Sequence, residues 1–118
     1  MKKLLTISAL LIILCTSVQA EPQPLSPEEK TKQTWIHSLA TLDAITTIVG
    51  VGKGLVESNA ILGVAPEPVT VITYFVARQV LHEVVTPYID REIRPIWQNT
   101  WIGVQGLVVI SNLALILK

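Results

Sequence analysis

The chain has one cysteine, Cys15, and aromatic residues make up only 5% of its 118 residues. Its charges cancel, with nine Lys and Arg against nine Asp and Glu. A balanced chain has no basic face to set against phosphates, which argues against a nucleic-acid binder. Several chemical signatures are missing as well. The sequence contains no G-x-S-x-G, no phosphate-binding P-loop, no dinucleotide glycine fingerprint and no H-E-x-x-H. Nothing in it pairs a recognisable nucleophile with a base, so no enzyme is expected, and no cofactor or metal site. A metal site from Asp43, Glu57 and His82 is conceivable by residue type but has no support from spacing.

What the chain does have is apolar residue. Half of it is hydrophobic, only 15% is charged, and the mean hydropathy is +0.53. That balance belongs to the membrane class. The first twenty residues read as a secretory signal: MKK is a positive start, LLTISALLIILCTSV is an apolar run of leader length, and Val18 and Ala20 stand at the −3 and −1 positions of a cleavage site. Two other readings stay open. Cys15 suggests a lipoprotein, though bulky Ile13 and Leu14 precede it, and the leader can also remain as an uncleaved anchor. Removing residues 1–20 leaves no cysteine and therefore no disulfide framework.

Residues 21–27, EPQPLSP, form a linker in which three prolines forbid a helix. A helical membrane domain, residues 28–118, follows. Ser26 is a candidate N-cap, Pro27 suits the first helical position, and Glu29 completes a capping box, so a helix is expected over 28–51. Its apolar part, 35–51, has 17 residues, the short end of a span, and Gly50, Gly52 and Gly54 end it. A second helix is expected over 68–89, carrying Arg78, His82 and Glu83, with Pro87 bending or ending it. In the loop between them Asn59 can cap a short helix over 60–64 or satisfy free carbonyls at the end of the first helix. The third helix, 95–117, contains 19 residues without a charge, 99–117, the clearest transmembrane signal after the leader. The fold class is thus all-α: a three-helix transmembrane bundle, up-down-up, behind an N-terminal signal peptide. The leader places the linker and the 90–94 turn outside and the loop from Gly50 to Pro66 inside, in a bacterial inner membrane. The positive-inside rule mildly disagrees, with Lys30, Lys32, Arg91 and Arg94 falling outside.

The spans carry polar stripes. Asp43, Thr46, Thr47, Gly50 and Gly54 fall at i, i+3, i+4, i+7 and i+11 on the first helix. Tyr74, Arg78 and His82 sit four apart on the second, with Gln79 and Glu83 beside them, and Gln98, Gln105 and Asn112 keep heptad spacing on the third. A charge at the bilayer centre costs roughly 2.5–3.5 kcal/mol, so these groups are expected to face one another in a seam. Asp43 can pair with Arg78 as a purely structural buried ion pair, or the two can belong to a functional site, since ionisable groups inside a span are functional candidates. Glu57, folded against the negative end of the first helix, needs Lys53, Arg78 or a proton, and should lie on the same side of the bundle as Arg78 or His82. Gly103 and Gly106 are expected to allow close helix approach, His37 to lie at the interface, and Trp35, Trp97 and Trp101 to anchor the membrane surfaces.

The stretch Asp43-x-x-Thr46-Thr47 … Gly54-x-x-Glu57-x-Asn59 resembles the signature of a family of small bacterial multi-helix membrane proteins of unknown function, Asp-x-x-(Ser/Thr)-Thr followed by Gly-x-x-Glu-x-Asn-Pro. The likeness covers about one fifth of the chain. Ala60 stands where that family has proline, and such proteins usually lack a leader. The resemblance implies that Asp43, Thr47, Glu57 and Asn59 are the functional positions. With Arg78, His82 and Glu83 they make the candidate seam. The expected protein is a structural or partner-binding bundle, in contact with lipid and with a second copy or another membrane protein. The alternative is a subunit of an oligomeric ion or proton transport component using Asp43, His82 and Glu83.

Overall fold

The computed structural model describes residues 3–4 and 21–118, so the leader, apart from Lys3 and Leu4, lies outside the described residues. The architecture is mostly helical. Helix α1 runs Pro27–Gly52, α2 runs Pro68–Val85 and α3 runs Arg94–Ile116. A two-stranded parallel pair joins β1, Lys3–Leu4, to β2, Val56–Glu57.

The start of α1 forms as its sequence dictates. Ser26 Oγ accepts the Glu29 N–H at 3.1 Å, and Glu29 Oε1 accepts the Ser26 N–H at 3.1 Å. This reciprocal box satisfies two of the donors that a helix start leaves open. The helix ends at Gly52, and Gly54 continues in the left-handed region at φ +86°, where a side chain would be strained. Helix α2 stops four residues short of the expected end. Pro87 has no N–H to continue the ladder, so Thr86–Tyr88 tighten into a 3-10 turn and Ile89 is extended. The loop between α1 and α2 holds no helix over 60–64. Asn59 O accepts the N–H groups of Leu62 (3.1 Å) and Gly63 (3.2 Å), and Gly63 then turns left-handed at φ +82°, which closes a turn instead.

Helix α1 is the centre of the packing. It lies chiefly against α3 and secondarily against α2. The largest apolar core cluster, Ala40, Leu62, Val71 and Phe75, sits between α1, α2 and the loop. At the far end of the bundle, Lys53 Nζ donates to the Ile116 carbonyl at 3.2 Å, so the end of α1 and the end of α3 meet. The linker meets the opposite end, where the Gln23 N–H donates to Pro87 O at 2.8 Å.

Among the described residues two helices, α1 and α3, are long and apolar enough to cross a membrane. Helix α2 falls short of that measure because Arg78, His82 and Glu83 all lie within it. The distribution of residue types is inverted relative to a water-soluble domain. Leu42, Ile45 and Val49 on α1, Ile72, Val76 and Val80 on α2, and Leu107, Ile110 and Leu113 on α3 are all exposed. Asp43, Thr47, His82, Arg94, Gln98, Gln105 and Asn112 are buried.

Candidate functional site

The buried polar residues form two connected layers. The first is built around Asp43, which is fully buried about two thirds of the way along α1. Its Oδ1 accepts from Thr47 Oγ1 (3.3 Å), one turn on, and from Asn112 Nδ2 (3.2 Å) on α3. Its Oδ2 accepts a hydrogen bond from Gln105 Nε2. Asn112 also reaches Thr46 Oγ1 at 3.2 Å, and Thr46 donates to Asp43 O at 3.1 Å. The helical periodicity explains the arrangement: Asp43, Thr46, Thr47 and Gly50 share the buried stripe of α1, while Gln105 and Asn112 are one heptad apart on the facing side of α3. Gly54, the fifth member of the expected stripe, lies beyond the helix end and is exposed.

The expected Asp43–Arg78 contact is replaced by a bridge. Arg78 Nη2 donates to Gln105 Oε1 at 3.1 Å, and Gln105 passes its own N–H to Asp43. A carboxylate only accepts and a guanidinium only donates, so the amide between them has one orientation that serves both. The Arg78 guanidinium carbon also lies 4.9 Å from the ring centre of Trp101, 5.3 Å from Phe75 and 5.5 Å from Tyr74. Aromatic rings thus surround the guanidinium.

The second layer is built around Gln33 and His82. Gln33 Nε2 donates to Glu83 Oε2 (2.8 Å) and lies 3.2 Å from His82 Nδ1, so one amide on α1 spans two adjacent α2 residues that point apart. With Nδ1 accepting, the neutral imidazole carries its proton on Nε2. That atom is buried and has no hydrogen-bond partner among the described residues. The ring stacks on Trp97 (5.0 Å, 8°) and meets Trp101 edge-on (4.8 Å, 76°). Trp101 therefore touches both His82 and Arg78 and joins the two layers. Glu83 Oε2 also pairs with His37 Nε2 at 2.7 Å, which gives His37 a partner rather than only an interfacial position. Gln98 Nε2 donates to Gln33 Oε1 and to Glu29 O, each at 3.0 Å.

Three expectations are corrected here. Trp97 is 3% exposed and donates its indole N–H to Thr86 Oγ1 at 3.1 Å, so it is a packing residue of the seam and not a surface anchor. Its flat ring is the surface on which His82 stacks. Trp35, 60% exposed, keeps the surface position expected of it. Among the described residues nothing lies within 4 Å of where a Cβ would stand at Gly103 or Gly106, so no described helix makes a close approach there. Arg94 is fully buried and does not belong to a charged surface turn. Its guanidinium donates to Glu29 Oε2 (2.8 Å), Gln23 O (3.2 Å), Pro24 O (3.5 Å), Pro87 O (3.1 Å) and Ile89 O (3.1 Å). One side chain thereby holds the linker, the start of α1 and the end of α2 together. Its position just before Pro95 and the acid of the α1 capping box are the signals that point to it.

Glu57 and Asn59 are both buried, but their described bonds are local. Glu57 Oε1 accepts the Asn59 N–H at 2.8 Å, and Asn59 Oδ1 accepts the Ile61 N–H at 3.0 Å. This pair of side chains closes the loop turn that the left-handed Gly63 completes. Among the described residues no group of three or more His, Cys, Asp or Glu could hold a metal. No known family, curated protein or solved structure matches the chain.

Proposed function

We propose that the protein is a small integral protein of a bacterial inner membrane, without enzymatic activity. All three helices cross the bilayer, and the polar seam holds them together. The observation that carries this reading is the inversion of residue types, with aliphatic side chains outward on every helix and a charged, amide-rich interior. In hydrocarbon the outward face needs no cover, and the seam satisfies groups that lipid cannot. The length of α1, 26 residues or about 39 Å at the usual rise, suits a span with its polar first turns outside. Arg78, His82 and Glu83, which lower the hydropathy of α2, all point to partners on α1 or α3, so they do not count against its crossing.

The linker and the α2–α3 turn lie on the outer side, and the loop 53–67 with Lys118 on the inner side. The exposed flank of α2, left uncovered by α1, meets lipid and receives a second copy or another membrane protein. The resemblance in the Asp43 to Asn59 stretch supports treating Asp43, Thr47, Glu57 and Asn59 as one unit, since all four are buried. The decisive experiment is extraction. The chain should leave membranes only with detergent and be monodisperse only in micelles. A chain that is monodisperse in plain buffer overturns the proposal.

A second reading, a subunit of a proton or ion transport component, is favoured by one observation. Glu83, Gln33, His82, Trp101, Arg78, Gln105 and Asp43 form a continuous series of contacts from an exposed carboxylate to a fully buried one. Reconstituted liposomes separate the two readings, because only a transport component gives a pH-dependent flux that Asp43→Asn abolishes.

A further inference from the structure

The contacts left over once the seam is assigned lie at its inner end. Leu4 is fully buried there, although it belongs to the leader. Its carbonyl accepts the Ser58 N–H at 3.2 Å and also the Ser58 hydroxyl. Lys3 and Leu4 pair in parallel with Val56 and Glu57. The side chain of Leu4 fills a hollow that exists because residue 50 is glycine: a Cβ there would stand 2.8 Å from Leu4 Cδ1 and 2.9 Å from Cδ2. Gly50 is one turn beyond Thr46 and Thr47 on the buried stripe of α1. Leu4 therefore closes the seam one turn below the Asp43 cluster.

The other flank of the leader is held just as firmly. Immediately after it, Gln23 and Pro24 give their carbonyls to Arg94, and the Gln23 N–H goes to Pro87. The two described flanks, Lys3–Leu4 and Gln23–Pro24, are thus each tied, one at each end of the bundle. A leader that is discarded leaves a leucine-sized hollow at Gly50, the bare edge of Val56–Glu57 and two Ser58 donors without their acceptor. Membrane topology agrees with its staying. A leader that is not cut keeps its start on the inner side, and that is the side assigned above to loop 53–67, where Leu4 docks.

We propose that the N-terminal segment is retained on the folded protein as a built-in strap, and that Leu4 seals the inner end of the polar seam by occupying the seat made by Gly50 and the edge of Val56–Ser58. Cleavage after Ala20 does not occur in the folded population.

Two measurements on the full chain, purified from membranes in detergent, test this. Intact-mass spectrometry should return the mass of residues 1–118, and the mass of residues 21–118 overturns the proposal. The seat itself is read by cross-linking. In a Cys15→Ser background, Lys3→Cys with Val56→Cys puts two thiols on paired positions of adjacent strands, close enough for a disulfide. Mild oxidation should protect most of both thiols from maleimide, and adding Gly50→Leu, which fills the hollow, should reduce that protection at least about ten-fold, a loss of about 1.4 kcal/mol of docking. Thiols that label freely without Gly50→Leu overturn the seat even where the mass is full length. Protection that survives Gly50→Leu overturns the part assigned to Gly50.

Discussion

Asp43→Asn is the perturbation that probes the seam most directly. The carboxylate receives three described side-chain donors, from Thr47, Gln105 and Asn112. Polar contacts between membrane helices average about 0.6 kcal/mol, so removing an acceptor for all three would cost about 2 kcal/mol. The isosteric amide keeps one oxygen, and its NH2 must face one side of the cluster. If the oxygen stays with Thr47 and Asn112, the NH2 meets that of Gln105. Rotating Gln105 relieves that clash but turns its NH2 against Arg78, which is itself only a donor. The conflict moves along the bridge and does not disappear. We therefore expect Asp43→Asn to destabilise the bundle by about 2 kcal/mol, and Arg78→Gln by about 1–2 kcal/mol through the uncompensated carboxylate. The double variant should recover about 1 kcal/mol of their sum, because an amide at position 78 can accept from a rotated Gln105. The assay is reversible unfolding in mixed micelles, followed by the fluorescence of Trp97 and Trp101 beside the seam. Additivity within about 0.3 kcal/mol, or a single-variant cost below about 0.5 kcal/mol, refutes the bridge as the link between the two charges.

Other outcomes follow from the same contacts. Arg94→Lys should cost about 3 kcal/mol in the same unfolding assay, since three ammonium donors cannot serve five acceptors spread over the linker, α1 and the end of α2; a loss below about 1 kcal/mol would mean water enters there. Gly103→Ala should stabilise α3 by up to about 1 kcal/mol, because its Cβ meets none of the described residues and alanine favours the helix. Gly63→Ala should destabilise by about 1–2 kcal/mol although its Cβ also meets nothing, because φ +82° strains any side chain. Thr86→Val should cost about 1–2 kcal/mol by leaving the Trp97 indole N–H buried without its acceptor, and Trp97→Phe should offset most of that in the double variant.

The helices were legible because their signals are local. Ser26, Pro27 and Glu29 specify the start of α1 by bonds that close within four residues. Pro68 and Pro95 mark the starts of α2 and α3 by removing an N–H that a first turn does not use. The short loop helix failed because Asn59 serves a turn as readily as a cap. Its oxygen accepts from the residue two on, and the left-handed Gly63 ends the segment before a second helical turn can form. The β1–β2 pair was not legible at all. Two-residue strands have no period to read, and this one joins residues more than fifty positions apart.

The composition of the seam was legible, and its wiring was not. Spacing of three, four and seven puts Asp43, Gln105 and Asn112 on inward stripes whatever the neighbours are. Which donor meets which acceptor depends on the rotation and height of one helix against another, and no single-helix pattern encodes that. Opposite charges therefore suggested a direct Asp43–Arg78 pair, while the geometry interposes Gln105. The amide reaches both groups from α3, and the guanidinium lies among the rings of Tyr74, Phe75 and Trp101. The same reasoning applies to Arg94. Beside Asp90 and Glu92 in sequence it resembles a solvated turn charge. Yet its acceptors are mostly backbone carbonyls, which have no signature in a sequence and become a site only when the linker, α1 and α2 converge on them. A bundle with an apolar exterior draws its specificity from such contacts. In the bilayer proposed above, lipid would cover apolar side chains at any helix rotation, whereas the polar interior is satisfied at only one.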